Sequence, residues 1–306
     1  MSQDPNALVS FSDGIREILG EQVRPLCLVR EPVQGFFVIH DFANAMGIDA
    51  NQVIPQLDST VPSRGAGDTI VPGELQWVTG QHPDLQYRGR ELRRRKIWAQ
   101  NGPVRDGVLI YSYTGFTYPV AQATSDWDTS PLLADMSARL NGFLTAGGVR
   151  PMNHLIVTAY DDGSHNIGWH YDKVRSLEPE GWIAILKLGP ASRRFALRKR
   201  AGEGENQETM PVLFDEVVPA GTLLLMSVAT NLATQHAVPE ERGDVGLSGS
   251  IVWRAIKTRL SQLELGQKIT QTEKGRAVRQ KRKREKALEA AGEGDGAQAL
   301  RHSLRV

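Results

Sequence analysis

Residues 153 to 172 read NHLIVTAYDDGSHNIGWHYD, and this stretch decides the fold. Leu155 to Tyr160 is an apolar run of strand length, and Asp161-Asp162-Gly163 behind it is a turn signal. The chain then returns to Trp169-His170-Tyr171-Asp172. In a strand, residues two apart point to the same side, so His170 and Asp172 can aim at one point. Further on, Trp182 to Leu188 is a strand ended by Gly189-Pro190, and Arg194 to Arg198 is another. Thr222 to Met226 is apolar and buried, and Ile251 to Ile256 is a last strand. Short strands with turn signals about every ten residues predict an antiparallel sandwich or barrel.

Upstream, Phe36 to Ile39 reads as a short buried strand, residues 61 to 76 as a Gly/Pro/Ser-rich loop, and Val108 to Tyr113 as a strand. Leu133, Met136, Leu140 and Phe143 recur at helical spacing, with Gly147 where a C-terminal cap belongs. Beyond about Gln262 the apolar pattern fades into a basic stretch, from Lys274 to Lys286, and then Ala-Gly-Glu-Gly-Asp-Gly. That stretch reads as a helix fraying into a disordered tail. The expected organisation is an N-terminal extension over 1–87, packed on the core and without a readable motif. A main domain follows over 88–260, then a basic tail over 261–306.

With 306 residues and 40% hydrophobic content, the chain can bury one sizeable core. No run of about 18 apolar residues is present, which excludes a membrane-spanning helix. The first ten residues lack the features of a signal peptide. The single cysteine, Cys27, excludes an internal disulfide and cysteine-rich metal sites, and fits a reducing, cytoplasmic setting. A monomer is the default. A net charge of +1 excludes the chain as a whole from electrostatic nucleic-acid binding. Local basic runs, Arg88 to Lys96 and the tail, can still contact phosphates or form a solvated surface.

His170, Asp172 and, later in the chain, His236 are candidate metal ligands. Two His and one carboxylate on one face, with open positions opposite, is the arrangement of non-haem iron(II) oxygenases, which need free sites for a bidentate oxo-acid and dioxygen. Zinc hydrolase chemistry uses similar ligand sets.

The context narrows this choice. Tyr111 to Pro119 (YSYTGFTYP), Ile183 to Arg198 (IAILKLGPASRRFALR), Gly221 to Met226 (GTLLLM), His236-Ala237-Val238-Pro239 and Ile251-Val252-Trp253-Arg254 accompany the opening stretch. In order and spacing this set resembles the AlkB family of nucleic-acid dealkylating dioxygenases, over roughly residues 88 to 258. The resemblance implies an α+β, mainly β fold with a double-stranded β-helix (jelly-roll) core and flanking helices. It implies Fe(II), 2-oxoglutarate and O2 as cofactor and cosubstrates, with decarboxylation to succinate coupled to C–H hydroxylation. On an N-methylated base the hydroxylated product falls apart to formaldehyde and free base. Carried over by residue, it implies His170, Asp172 and His236 as catalytic metal ligands. It implies Tyr160, Ile185, Lys187 and Arg254 at the cosubstrate, and Tyr113, Phe116 and Tyr118 at the substrate. The implied partner is nucleic acid, DNA or RNA.

Four positions depart from the family pattern. Ser248 stands where an arginine usually pairs with the distal carboxylate of 2-oxoglutarate, Ser250 and Thr158 stand where Asn is usual, and Val174 and Arg175 replace acidic residues. Lys187 is the lone charge in its strand and shares a face with Ile183 and Ile185. Jumonji-type relatives hold the same carboxylate with a lysine from this part of the sheet. Lys187 is therefore the expected replacement for the missing arginine. The acidic residues that are absent leave room for other readings. The same oxygenase chemistry could act on a protein or small molecule, or the scaffold could be a non-catalytic nucleic-acid-binding relative.

Overall fold

In the computed structural model, the described residues are 27–82, 86–87, 90–112, 117–243, 245–272, 274–275 and 282. The chain divides into two compact units, the first ending at Ser261. In the second, residues 262–272 are helical.

The first unit is mainly β. Its longer strands are β1 (Val29–Val33), β2 (Phe36–Ile39), β3 (Ser63–Arg64), β4 (Trp77–Val78), β5 (Arg95–Gln100), β6 (Thr124–Asp126) and β7 (His154–Tyr160). They continue as β8 (Ile167–His170), β9 (Trp182–Leu188), β10 (Arg193–Lys199), β11 (Val212–Val218), β12 (Leu223–Ser227), β13 (Thr234–Val238) and β14 (Ser248–Arg254). A ten-stranded sheet runs β1-β2-β12-β9-β14-β7-β5-β4-β3, with β6 paired to β5. A four-stranded sheet runs β8-β13-β10-β11.

The central strands of the large sheet are apolar on both faces, so they read as runs rather than alternations. In β9, Trp182, Ala184, Leu186 and Leu188 pack in one core, and Ile183 and Ile185 in another. The first core lies between the large sheet and the helices α1 (Val53–Thr60) and α2 (Pro131–Ala146). Helix α2 starts where the Ser130 side chain accepts from the Leu133 N–H, with Pro131 at the first helical position, and buries Leu133, Met136, Leu140 and Phe143. It stops at Gly147-Gly148, where Gly148 takes a φ of 67° that a side chain would disfavour. The second core joins Ile156, Ile183, Ile185 and Leu224 of the large sheet to Phe195, Leu197, Phe214 and Val238 of the small one. The small sheet therefore covers the inner face of the large one.

Gly249 sets the spacing of the three central strands. A Cβ there would stand 2.5 Å from both the Thr158 carbonyl oxygen and Ile54 Cδ1. Only glycine lets β14 approach β7 and α1 at this point.

The structure corrects two expected elements. Among the described residues of the strand expected over Val108 to Tyr113, only Val108–Leu109 is a strand, paired to Arg259–Leu260, and a helix follows at Thr117–Gln122. The expected loop over 61–76 contains β3. The segment expected as an extension supplies β1 and β2 at the edge of the large sheet. Among the described residues no helix is long and apolar enough to cross a membrane.

Candidate metal centre and its cavity

The small sheet brings His170 and His236 side by side. They are register partners across β8 and β13, beside an irregularity after Ile167, and their rings lie 4.3 Å apart. Asp172 follows the end of β8, where it has no ladder to hold it. Asn231 does so instead, accepting the Asp172 N–H at 2.8 Å and donating to the Asp172 carbonyl at 3.0 Å. The ligand atoms of His170, Asp172 and His236 lie within 4.8 Å of one another.

Charge and hydrogen bonding suit these groups to a cation. Burial lowers the pKa of His170 and drops that of His236 to about 3, so both imidazoles are neutral with a lone pair to give. His170 Nδ1 lies 2.8 Å from the Gly168 carbonyl, which directs the other ring nitrogen outward. His236 Nδ1 is buried without a hydrogen-bond partner among the described residues. Burial would raise the Asp172 carboxyl, but above all the Arg254 guanidinium, and also the Tyr111 hydroxyl, hold it below the usual carboxylate range. Arg254 donates Nε and Nη2 to Asp172 Oδ2 at 2.8 and 2.7 Å, and Tyr111 donates its hydroxyl to Oδ1 at 2.8 Å. Arg254 also sits 4.5 Å over the Tyr111 ring. Oδ1 keeps a further lone pair for a metal, whereas both lone pairs of Oδ2 face Arg254. Two neutral imidazoles and an ionised carboxylate fit a divalent first-row metal.

The triad opens on a cavity of about 730 Å³ between the sheets, lined by Tyr160, Ile185, Lys187 and Arg254 among others. All four residues expected at the cosubstrate therefore face one space. Tyr160 is buried, and burial pushes its phenol up to about 12. Lys187 is only 2% exposed, and its charged neighbours are Arg193 and Glu241. Arg193 is fully buried. It donates to the carbonyls of Asp162, His165 and Pro239, and lies 2.8 Å from Glu241 in a charge pair without hydrogen-bond alignment. Ser248, at the position of the family's arginine, is buried with its Oγ unpartnered among the described residues.

The residues expected at the substrate, Tyr113 and Phe116, lie outside the described residues, as does the side chain of Tyr118. Arg88 also lies outside them. The side chain of Arg90 lies outside them too, and the C-terminal half of that basic run enters the central sheet. Arg95 is paired with Asp58 and Asp161 and lies over Trp77, Arg94 bonds the Asn166 carbonyl, and Lys96 is buried on Thr158. Arg93 remains on the surface, against Ser164.

Sequence reasoning missed Tyr111, Asn231 and Lys96. Lys96 carried the same signal as Lys187, a lysine inside an apolar strand (Arg95–Gln100, RKIWAQ), but the arginines before it disguised the strand as a charge run.

No family model matches the chain. Among curated proteins, human DNA oxidative demethylase ALKBH2 is 25% identical over 183 residues, 60% of this chain and 65% of that protein. Mouse ALKBH2 is 32% identical over 166 residues, 54% of this chain and 64% of that protein. Rat alpha-ketoglutarate-dependent dioxygenase alkB homolog 3 is 37% identical over 136 residues, 44% of this chain and 43% of that protein. The chain spans less than two thirds of the length of these relatives. Among solved structures, OsALKBH1 is similar at 14% identity and a TM-score of 0.41, covering 74% of this chain and 100% of that one. A 2OG-Fe(II) oxygenase family oxidoreductase from Burkholderia pseudomallei is similar at 14% identity and a TM-score of 0.42, covering 85% and 95%.

Proposed function

We propose that this AlkB-like chain is an Fe(II)- and 2-oxoglutarate-dependent dioxygenase that dealkylates nucleic-acid bases by oxidation. The observation that carries the reading is the convergence of His170, Asp172 and His236 at the mouth of a cavity that also holds Tyr160, Lys187 and Arg254. The relatives named above as a DNA oxidative demethylase and an alpha-ketoglutarate-dependent dioxygenase support the substrate class and the cosubstrate. We read the two-sheet core as a double-stranded β-helix, in support of which the metal-facing residues sit where the small sheet covers the large one. The single cysteine supports a reducing, cytoplasmic setting.

In this reading His170, His236 and Asp172 hold Fe(II), which with 2-oxoglutarate and O2 supplies C–H hydroxylation coupled to decarboxylation. The neutral imidazoles bind without first losing a proton. Tyr111 and Arg254 fix the Asp172 carboxylate from outside, as groups behind metal ligands commonly do, and such groups are worth about 10- to 100-fold in metal affinity. The apolar residues Ile156, Ile185 and Val252 line the cavity between Arg254 and its polar floor. Lys187 supplies the cation that the distal carboxylate of 2-oxoglutarate lacks at Ser248.

A protein or small-molecule substrate is the second reading, favoured by Val174 and Arg175 where acidic residues normally follow the His-x-Asp pair. Succinate release separates the two. A methylated oligonucleotide should stimulate succinate formation above the unmodified strand and yield formaldehyde. His170→Ala and Asp172→Ala should abolish turnover and iron binding together. Equal succinate release with both strands would move the substrate to the second reading, and full iron binding in either variant would end the metal assignment.

A further inference from the structure

Four polar side chains form one row across the cavity floor. Lys187 on β9 is the register partner of Ser250 on β14. Ser250 is opposite Thr158 on β7, and Thr158 is opposite Lys96 on β5. All four line the cavity. The row above them is apolar, with Ile185, Val252, Ile156 and Trp98 in register, and the row above that holds Arg254, bound to Asp172. The polar row is therefore two side-chain rows down from the arginine that grips the metal carboxylate.

The two lysines stand at opposite ends of this row, with two short hydroxyl side chains between them. Four adjacent strands span three spacings of about 4.8 Å each, so the two lysine backbones stand about 14 Å apart with the Ser250–Thr158 pair between them. Lys96 is 8% exposed and donates to Thr158 Oγ1 at 3.1 Å. Its charged neighbours are Arg94, Arg254 and Asp172. Among the described residues neither lysine forms an ion pair, and Asp172, already held by Arg254, supplies the carboxylate lining the cavity. Five cations line the same space, namely Arg94, Lys96, Lys173, Lys187 and Arg254. Burying ammonium groups without a paired carboxylate is costly, so this row suits an anion that arrives from solution.

We propose that Lys96 is a second cation of the 2-oxo-acid site, and that the distal carboxylate of 2-oxoglutarate is clasped between Lys96 and Lys187 above the Ser250 and Thr158 hydroxyls. This rests on the dioxygenase reading and extends it. The family's arrangement of one arginine and two amides is replaced by two ammoniums and two hydroxyls. Ser250 and Thr158 are short enough to leave room for a carboxylate between the lysines, which asparagines at both positions would fill. Tyr160, bonded to Ser250 through its hydroxyl, closes the floor one row below.

The test is equilibrium binding to the full chain loaded with Mn(II), which occupies the metal site without turnover. 2-Oxoglutarate is compared with 2-oxopentanoate, which has the same oxo-acid head and a methyl in place of the distal carboxylate. Lys96→Met should weaken 2-oxoglutarate at least about tenfold, the equivalent of roughly 1.4 kcal/mol, and leave 2-oxopentanoate and Mn(II) affinity within about twofold of wild type. Lys96→Arg, which keeps the charge, should lose less. Unchanged 2-oxoglutarate affinity in Lys96→Met would overturn the proposal. So would an equal loss for both ligands, which would assign Lys96 to the oxo-acid head or to the fold. If wild type with Mn(II) binds no 2-oxoglutarate at all, the dioxygenase reading fails with it.

Discussion

At the scale of the residue, Lys187 is held at the expense of stability. Burial, with Arg193 adding to it and Glu241 opposing it, lowers the Lys187 ammonium to about 8 from an ordinary 10.5. A folded-state pKa below the unfolded one means that the unfolded chain binds the extra proton between those values. Stability therefore rises as pH increases from about 8 towards 10.5, and the full penalty is present below 8. At about 1.4 kcal/mol per unit, the penalty near neutral pH is on the order of 3 kcal/mol. Lys187→Met should thus raise the melting temperature at pH 7, and its advantage over wild type should shrink as pH rises from 8 towards 10. The same variant should weaken 2-oxoglutarate at least about tenfold, and in wild type that affinity should fall as pH rises through 8, where the free lysine loses its charge. Thermal melts and ligand titrations across pH 6 to 10 measure both. A variant less stable than wild type at pH 7 would make Lys187 a structural residue, and an affinity flat across pH 8 would remove it from the anion site.

At the scale of the element, the positions of the site follow from strand parity, and much of that was legible in the sequence. β9 could be placed from Trp182 to Leu188 because the apolar run ends at Gly189-Pro190, and parity then put Lys187 with Ile183 and Ile185. The length of α2 followed from its apolar spacing and its glycines. The strands β5, β11 and β13 were not legible, because their charged and polar residues break the apolar pattern. In β11 Leu213, Asp215 and Val217 face out, so a half-exposed strand carried no clear period. In β5 the inward lysine and the ion-paired Arg95 read as one basic surface run. Tyr111 escaped because the ladder stops at Leu109, and its hydroxyl reaches Asp172 from irregular backbone that no periodicity predicts. Gly249 shows how one residue sets a whole element. A side chain there would drive β14 off the Thr158 carbonyl and Ile54, and overpacking of this kind costs about 1–3 kcal/mol. Gly249→Ala should lower the unfolding free energy by that amount, seen as a lower urea midpoint with an unchanged slope, and should weaken 2-oxoglutarate as Ser250 moves. An unchanged midpoint would mean that the sheet yields without strain and that the spacing of the polar row is not fixed by this contact.

At the scale of the whole molecule, charge is divided where the fold divides. Residues 262–306 carry 11 Lys and Arg against 6 Asp and Glu, which leaves 25 against 29 in residues 1–261. The first compact unit is thus net acidic, although its cavity is lined by cations, and the excess of positive charge lies in the second unit. A nucleic-acid substrate is attracted through its phosphates, each neutralised phosphate contributing about 0.7 to 0.9 to the slope of log affinity against log salt. Arg94, Arg95 and Lys96 are turned into the sheet or paired, so this half of the run expected to serve phosphates is engaged within the fold. In the proposed reading the basic stretch from Lys274 to Lys286 is a further source of that attraction. Truncation after Ser261 should leave the melting temperature within about 2 °C of the full chain, because both cores are formed by residues before that point. It should also leave Mn(II) and 2-oxoglutarate affinity unchanged, since every residue of the triad and the polar row is retained. Oligonucleotide affinity should drop, with a salt slope shallower by about 2 or more. Melting curves of the truncated chain, followed by oligonucleotide titrations at several salt concentrations, measure each part separately. A large fall in melting temperature would show that the second unit supports the first, and an unchanged slope would return the phosphate contacts to the surface around the cavity mouth, where Arg198 and Arg200 lie over the rings of Trp169 and Tyr171.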